Sequence, residues 1–370
     1  MKITNAKLFR NGYFSDGSID FDARITGFGP ADLPGDLDAE GGYVIPGLID
    51  VHTHAAIGED ASDGSPEGML KMSRYYAHEG VTSWCPTTMT LKEPVLHQAM
   101  VTIRDFVRPD DGAKVAGINL EGPFLCYAKR GAQAAENLHV PDPDMFKRLN
   151  DASSGIIRLV TVAPEEPGGI DFVREISPIC TVSLGHTVAD YDTAIAAYDA
   201  GASHATHLFN GMPSLLHRAP GVIGAASDAG ATVELITDGF HIHPSVIRLV
   251  HRLFGENLCL ISDSLRCAGM PDGDYELGGQ PITMKGGKAT LTGSDTLAGS
   301  SIHLMDGVRR AVAFGLRLED ALLSATLTPA RAIRCEKEIG SLDIGKCADL
   351  VWLDKELNVK AVFVNGKRIR

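Results

Sequence analysis

Short apolar runs recur through the middle of the chain, at residues 47–51, 81–85, 115–120, 156–162, 180–184, 204–208, 232–236 and 258–261. Their continuity suits strands buried on both faces, as in a parallel sheet covered by helices. Between them, stretches with helical spacing of apolar positions predict helices over 66–79, 94–107, 143–151, 169–176, 188–200, 244–254, 302–314 and 318–333, while 219–229 is weakly patterned. Eight such strands with their helices predict an α/β fold, a (β/α)8 TIM-like barrel over residues 46–336. No internal repeat supports a solenoid instead.

The two ends have a different texture. Residues 1–45 and 337–370 carry alternating segments at 2–9, 18–21, 24–28, 348–354, 359–364 and 367–370, with Asn11-Gly12 and Asn365-Gly366 as hairpin turns. Neither end can bury a core alone, so the two are expected to pair into one small β-sandwich domain built from both termini.

Composition narrows the function classes. The 370 residues are 44% hydrophobic and 22% charged, ordinary for a globular enzyme-sized chain. The net charge is −13 with no compensating basic run, which argues against nucleic-acid and membrane partners and requires any anionic substrate to be met locally. No apolar stretch reaches the ~18 residues of a membrane span and no signal-peptide core follows the N-terminus, so a cytoplasmic location is expected. Seven cysteines without a C-x-x-C pair speak against a disulfide framework and against a cysteine-ligated zinc; they read as small buried hydrophobes.

In such a barrel, chemistry collects where strands end. Strand one ends in Asp50-Val-His52-Thr-His54, strand three in Asn119-Leu-Glu121, strand five in Leu184-Gly-His186, strand six in Thr206-His207-Leu-Phe-Asn210, strand seven in Thr237-Asp238-Gly-Phe-His241, and strand eight in Ser262-Asp263-Ser264. Residues two apart share a face of a strand, so His52 and His54 would both aim into the barrel mouth while Thr53 points away. With Glu121, His186, His207 and Asp263 they make four imidazoles and two carboxylates. That donor set suits one or two divalent ions, zinc foremost, with iron, manganese or cobalt as alternatives. The remaining histidines, His78, His97, His139, His217, His251 and His303, read as structural or solvent-facing. So does His204, because its odd spacing from His207 places the two on opposite faces of a strand.

These residues also carry a family likeness. Pro46 to His54, Leu120-Glu-Gly-Pro-Phe124, Gly185-His186, Ala205-Thr-His-Leu-Phe-Asn-Gly-Met212, Ala219-Pro-Gly221, Asp238-Gly-Phe-His241, Ser262-Asp263, the 293–301 segment and Gly340 to Leu350 resemble the amidohydrolase superfamily and, within it, the N-acetylglucosamine-6-phosphate deacetylases. The likeness spans nearly the whole chain, and its Glu-Gly-Pro-Phe and Thr-His-Leu-Phe-Asn-Gly-Met segments are the specific ones.

The resemblance implies a principal metal site of Glu121, His186 and His207, with Glu121 in the place of the superfamily's modified lysine. It implies a second site at His52 and His54, shared with Glu121 and Asp263. Asp263 would be the catalytic proton shuttle; capping a helix before Ser264 is the lesser reading and is compatible with that role. Substrate contacts would come from Ala132, Gln133, Asn210, Gly211, Arg218, His241, Leu297, Ala298 and Gly299. Arg218 suits a phosphate, or is simply an exposed loop arginine. Many family members carry histidine where this chain has Gln133, which can donate a hydrogen bond but cannot carry a proton. His243 and Arg266 read as loop residues.

The implied reaction is metal-dependent hydrolysis of the acetamide of N-acetylglucosamine 6-phosphate, or of another N-acetyl amino-sugar phosphate such as N-acetylgalactosamine 6-phosphate. The implied assembly is a homodimer whose neighbouring subunit lends phosphate contacts. An amidohydrolase of cyclic amides or imides would more often place a metal-bridging lysine after strand four, where Thr161-Val-Ala-Pro-Glu165 has none. A catalytically silent sugar-phosphate sensor would have lost Asp263 or a ligand, and none is lost.

Overall fold

The computed structural model describes residues 1–370. Eight strands form one parallel ladder: β1 (Leu48–Thr53), β2 (Val81–Thr88), β3 (Ile118–Glu121), β4 (Ile157–Val162), β5 (Thr181–Leu184), β6 (His204–Ala205), β7 (Thr232–Ile236) and β8 (Leu258–Ile261). The seam between β8 and β1 closes at the mouth, where the Asp263 amide donates to the His52 carbonyl at 2.9 Å and the His54 amide to the Ser264 carbonyl at 3.1 Å. The interior is packed below the mouth by Ile49, Val51, Cys85, Leu159, Ile236, Cys259 and Ile261, with Ala330, Ile333 and Ile339 beneath.

The helices fall on the expected stretches, from Pro66–His78 to Pro244–Phe254, and the weakly patterned stretch holds Gly221–Asp228. Proline occupies the first turn of Pro66–His78, Pro143–Ala152 and Pro244–Phe254, where its missing N–H costs nothing. The helix expected over 318–333 is two helices, Leu318–Ala325 and Leu327–Ala332, broken at Thr326. Pro329 is the reason: it cannot donate to the carbonyl four residues back, but is tolerated in the first turn of a new helix.

Both chain ends meet in one sheet. Its order is Lys367–Arg368, Val359–Val364, Leu350–Leu353, Tyr43–Pro46, Lys2–Arg10, Tyr13–Phe21 and Ile25–Gly29, with Leu37–Asp38 alongside Lys2–Arg10. The sheet folds over on itself: Phe21 and Phe363, with three strands between them along it, meet edge to face at 5.3 Å in a core with Ile3, Leu8, Ile19 and Leu350. The Lys114 ammonium reaches the Asp349 carboxylate at 2.5 Å and joins this domain to the barrel.

One element was not anticipated. Between β8 and Leu304–Ala313 a three-stranded antiparallel sheet, Gly273–Leu277, Gln280–Lys285 and Lys288–Leu291, stands over the mouth. Its signal lies in two Gly-Gly pairs, 278–279 and 286–287, all four with positive φ as tight two-residue hairpins require. Leu277, Ile282, Met284 and Ala289 pack it onto Met89, Leu265 and Ala298, so it is anchored to the rim.

Candidate active site

Each chemically capable side chain leaves the barrel where a strand gives way to a loop, and the backbone there is unusual. His186, His207 and Asp263 have φ of 48°, 27° and 48°. For non-glycine residues this left-handed backbone costs on the order of 1–3 kcal/mol each and persists only where surrounding structure imposes it. At β1 the pairing itself is irregular. Asp50 sits opposite Trp84 but Thr53 opposite Pro86, so three residues on β1 span what two span on β2. This extra residue lets both Val51 and His52 face the barrel interior, which strict alternation forbids. Thr53 points out, to Tyr76 and Ser264, as its position between the two histidines predicts.

Glu121, His186 and His207 converge. Glu121 Oε1 lies 3.0 Å from His207 Nε2 and 3.2 Å from His186 Nε2, and the two nitrogens are 3.0 Å apart. The other nitrogen of each ring faces a carbonyl: His186 Nδ1 donates to Lys129 at 2.8 Å and His207 Nδ1 to Asn210 at 3.2 Å. A carbonyl only accepts, so Nδ1 carries a hydrogen, and the neutral form of each ring turns a lone pair inward. Two lone pairs and a carboxylate oxygen at this separation fit a shared divalent cation.

A second trio adjoins it. His54 Nδ1 donates to the Thr87 carbonyl at 3.1 Å, and its Nε2 lies 3.2 Å from Glu121 Oε2 and 3.3 Å from Asp263 Oδ1. His52 Nε2, fully buried, has no hydrogen-bond partner; it stands 3.4 Å from Glu121 and 3.6 Å from Asp263. Electrostatics make the demand explicit. Burial disfavours a charged His54, yet Asp263 and Glu121 outweigh it and lift the group to about 9. Burial would likewise raise Asp263, but the His52 and His54 charges hold it below the usual carboxylate range. Glu121, buried among His52, His186 and His207, is held well below that range too. The two carboxylates require positive charge between them, which protons or a cation can supply.

Glu234 is the functional side chain that sequence reasoning missed. It is buried on β7, where its Oε2 accepts from His52 Nδ1 at 2.8 Å and from the His207 amide at 3.1 Å, and its Oε1 meets His204 Nε2 at 3.1 Å. A lone acid inside the apolar run Thr232–Ile236 was the available signal. His204 therefore also points into the barrel. The expectation that His204 and His207 take opposite faces fails because the strand ends at Ala205 and alternation with it.

Glutamine in place of Glu234 must donate from one end, which forces His52 or His204 to reverse its tautomer. Glu234→Gln is therefore expected to weaken cation binding about 10- to 100-fold, as loss of supporting carboxylates does. Metal content after dialysis against a chelator would measure it, and wild-type retention would show that His52 needs no such support.

The trios open into a cavity of about 350 Å³ lined by Ala132, Gln133, Asn210, Gly211, His241, Leu297, Ala298 and Gly299, eight of the nine expected substrate contacts. His241 is held through Nδ1 by Asp238 at 2.8 Å. Arg218 is the exception: it is exposed, outside the lining, with its guanidinium 2.8 Å from His217 Nε2. No lysine or arginine lines the cavity. Arg266 pairs both nitrogens with Asp63 at 2.6 Å, tying the loop after β8 to that after β1, and His243 caps Pro244–Phe254. After β4, Glu165 accepts from the Val188 amide at 2.6 Å and braces the loop beyond His186.

Residues 43–369 match the amidohydrolase family. An N-acetylgalactosamine-6-phosphate deacetylase of Escherichia coli O157:H7 is 37% identical over 334 residues, covering 89% of this chain and 88% of that one. An N-acetylglucosamine-6-phosphate deacetylase of Bacillus subtilis is 35% identical over 374 residues, covering 98% and 94%. Among solved structures, a mutant N-acetyl-D-glucosamine-6-phosphate deacetylase from Mycobacterium smegmatis, in complex with N-acetyl-D-glucosamine-6-phosphate, superposes with a TM-score of 0.94 at 32% identity, covering 100% of this chain and 99% of that one. With its ligand-bearing strand ends gathered at one barrel mouth, the chain belongs to the amidohydrolase family, in the branch of the N-acetylglucosamine-6-phosphate deacetylases.

Proposed function

We propose that this protein hydrolyses the acetamide of N-acetylglucosamine 6-phosphate to glucosamine 6-phosphate and acetate. The observation that carries the reading is the convergence of Glu121, His186 and His207 beside Asp263 in a cavity of substrate size. N-acetylgalactosamine 6-phosphate is the second reading, favoured by the 37% identical relative.

Glu121, His186 and His207 would hold a divalent ion, and His52 and His54 with Glu121 and Asp263 a second. Two imidazoles and a carboxylate suit zinc first, with iron, manganese and cobalt sharing the preference. The ion's chemistry is to polarise the acetyl oxygen and to bring a water's pKa toward ~7. Asp263, ionised by its histidine neighbours, accepts the water's proton and returns it to the departing amine. His241, oriented by Asp238, and Asn210, whose amide nitrogen is spent on the His207 carbonyl at 3.2 Å, face the sugar.

Because no cationic side chain of the chain's own cavity meets the phosphate, we assign that part to Arg218 across the boundary of a homodimer. A cytoplasmic location is supported by seven free cysteines, and no helix is long and apolar enough to cross a membrane.

Acetate release from N-acetylglucosamine 6-phosphate, its galactosamine counterpart and the unphosphorylated sugar tests this reading. The phosphorylated glucosamine derivative should be the fastest, and release should stop with a chelator. No release from any of the three would end it. Arg218→Ala should raise KM for the phosphorylated sugar with kcat little changed, as loss of uniform binding does. An unchanged KM would remove Arg218 from the site.

A further inference from the structure

We propose that Gln133 is a positioning residue: its side-chain amide orients the Glu121 carboxylate for the cation, rather than recognising the sugar. The inference rests on the metal-centre reading above and deepens it. Gln133 is only 6% exposed, although it lies in a loop after β3. Its Oε1 accepts from the Thr90 backbone amide at 2.8 Å, and its Nε2 donates to Glu121 Oε2 at 2.7 Å.

A backbone N–H only donates and a carboxylate only accepts, so the amide has one workable orientation. Its carbonyl is spent on Thr90 and its nitrogen is aimed at Glu121.

The consequence falls on Glu121. That carboxylate serves both trios, with Oε1 toward His186 and His207 and Oε2 toward His54. Without a donor on Oε2 the carboxylate can rotate about its last torsion, and Oε1 loses its fixed place between the two imidazoles. Thr90 stands just beyond Thr87, whose carbonyl orients His54, so a single neutral amide braces Glu121 against the segment that also sets His54. Neutrality matters too: the brace adds no charge to a site whose two carboxylates already require a cation.

The test uses metal-depleted protein titrated with zinc against a competing chelator. Gln133→Met keeps length and loses the donor, and should weaken zinc binding 10- to 100-fold, the usual effect of removing a partner of a metal ligand. Gln133→Leu serves if the methionine variant does not fold. Gln133→His, which restores one N–H donor, should recover most of the affinity. Turnover of Gln133→Met should return when zinc saturates, with KM near wild type.

Zinc affinity within twofold of wild type in the folded apolar variant would overturn the proposal. A raised KM that persists at saturating zinc would do so as well, since it marks a direct sugar contact. Lost affinity that histidine does not recover would assign the effect to packing and also overturn it. Failure of the deacetylase reading would appear separately, as wild-type protein that binds zinc but releases no acetate.

Discussion

Asp263→Asn is expected to keep the ion of Glu121, His186 and His207 and lose turnover by about 10²- to 10⁴-fold, the range that a positioned general acid–base contributes. The side chain sits where β8 ends, in left-handed backbone, with Oδ1 3.3 Å from His54 Nε2 and 3.6 Å from His52 Nε2. Asparagine matches the shape but cannot accept a proton, so the amine would leave unprotonated. Glu121, His186 and His207 do not depend on Asp263 for their geometry, so the principal ion should remain. Steady-state rates paired with metal analysis separate the possibilities. Turnover within about threefold of wild type would place the proton shuttle elsewhere, and loss of the principal ion would show that its site depends on Asp263.

Glu121→Gln should have the opposite signature. Glu121 is the only carboxylate facing all four imidazoles of the two trios, at 3.0 to 3.4 Å. Glutamine retains one acceptor oxygen, removes the negative charge, and brings a second amide against that of Gln133. The variant should purify with less than about a tenth of the wild-type metal and with activity reduced at least as far as in Asp263→Asn, because removing a ligand costs more than the 10- to 100-fold of a supporting partner. Its fold should persist, since the barrel core beneath is apolar and untouched. Metal analysis and far-UV circular dichroism test both parts. Wild-type metal content would mean that the imidazoles alone hold the ion.

The barrel was legible because its signals are local. Each strand is a short apolar run and each helix a periodic one, and all eight strands lie within the runs read from the chain or within a few residues of them. The three-stranded rim has an equally local signal in its Gly-Gly turns, but the other glycines of 269–299 mask it. Placing His52, His54, Glu121, His186, His207 and Asp263 at one mouth needed only the rule that strand C-termini share a face of the barrel.

What that rule cannot supply is which atom faces which. The irregularity that turns His52 inward exists only once β1 pairs with β2. The hydrogen bond that sets the His52 tautomer comes from Glu234, 182 residues away, and the donor on Glu121 comes from a loop glutamine that reads as a sugar contact. Arg218 sits off its own cavity for the same kind of reason, since a loop's path depends on everything it packs against. By itself the amino-acid order determined the elements, their sequence and the rim to which the ligands belong, because periodicity and turn chemistry act over a few neighbouring residues. The tertiary structure alone decided lone pairs, tautomers and supporting contacts, because these depend on ångström distances between groups that the chain keeps far apart.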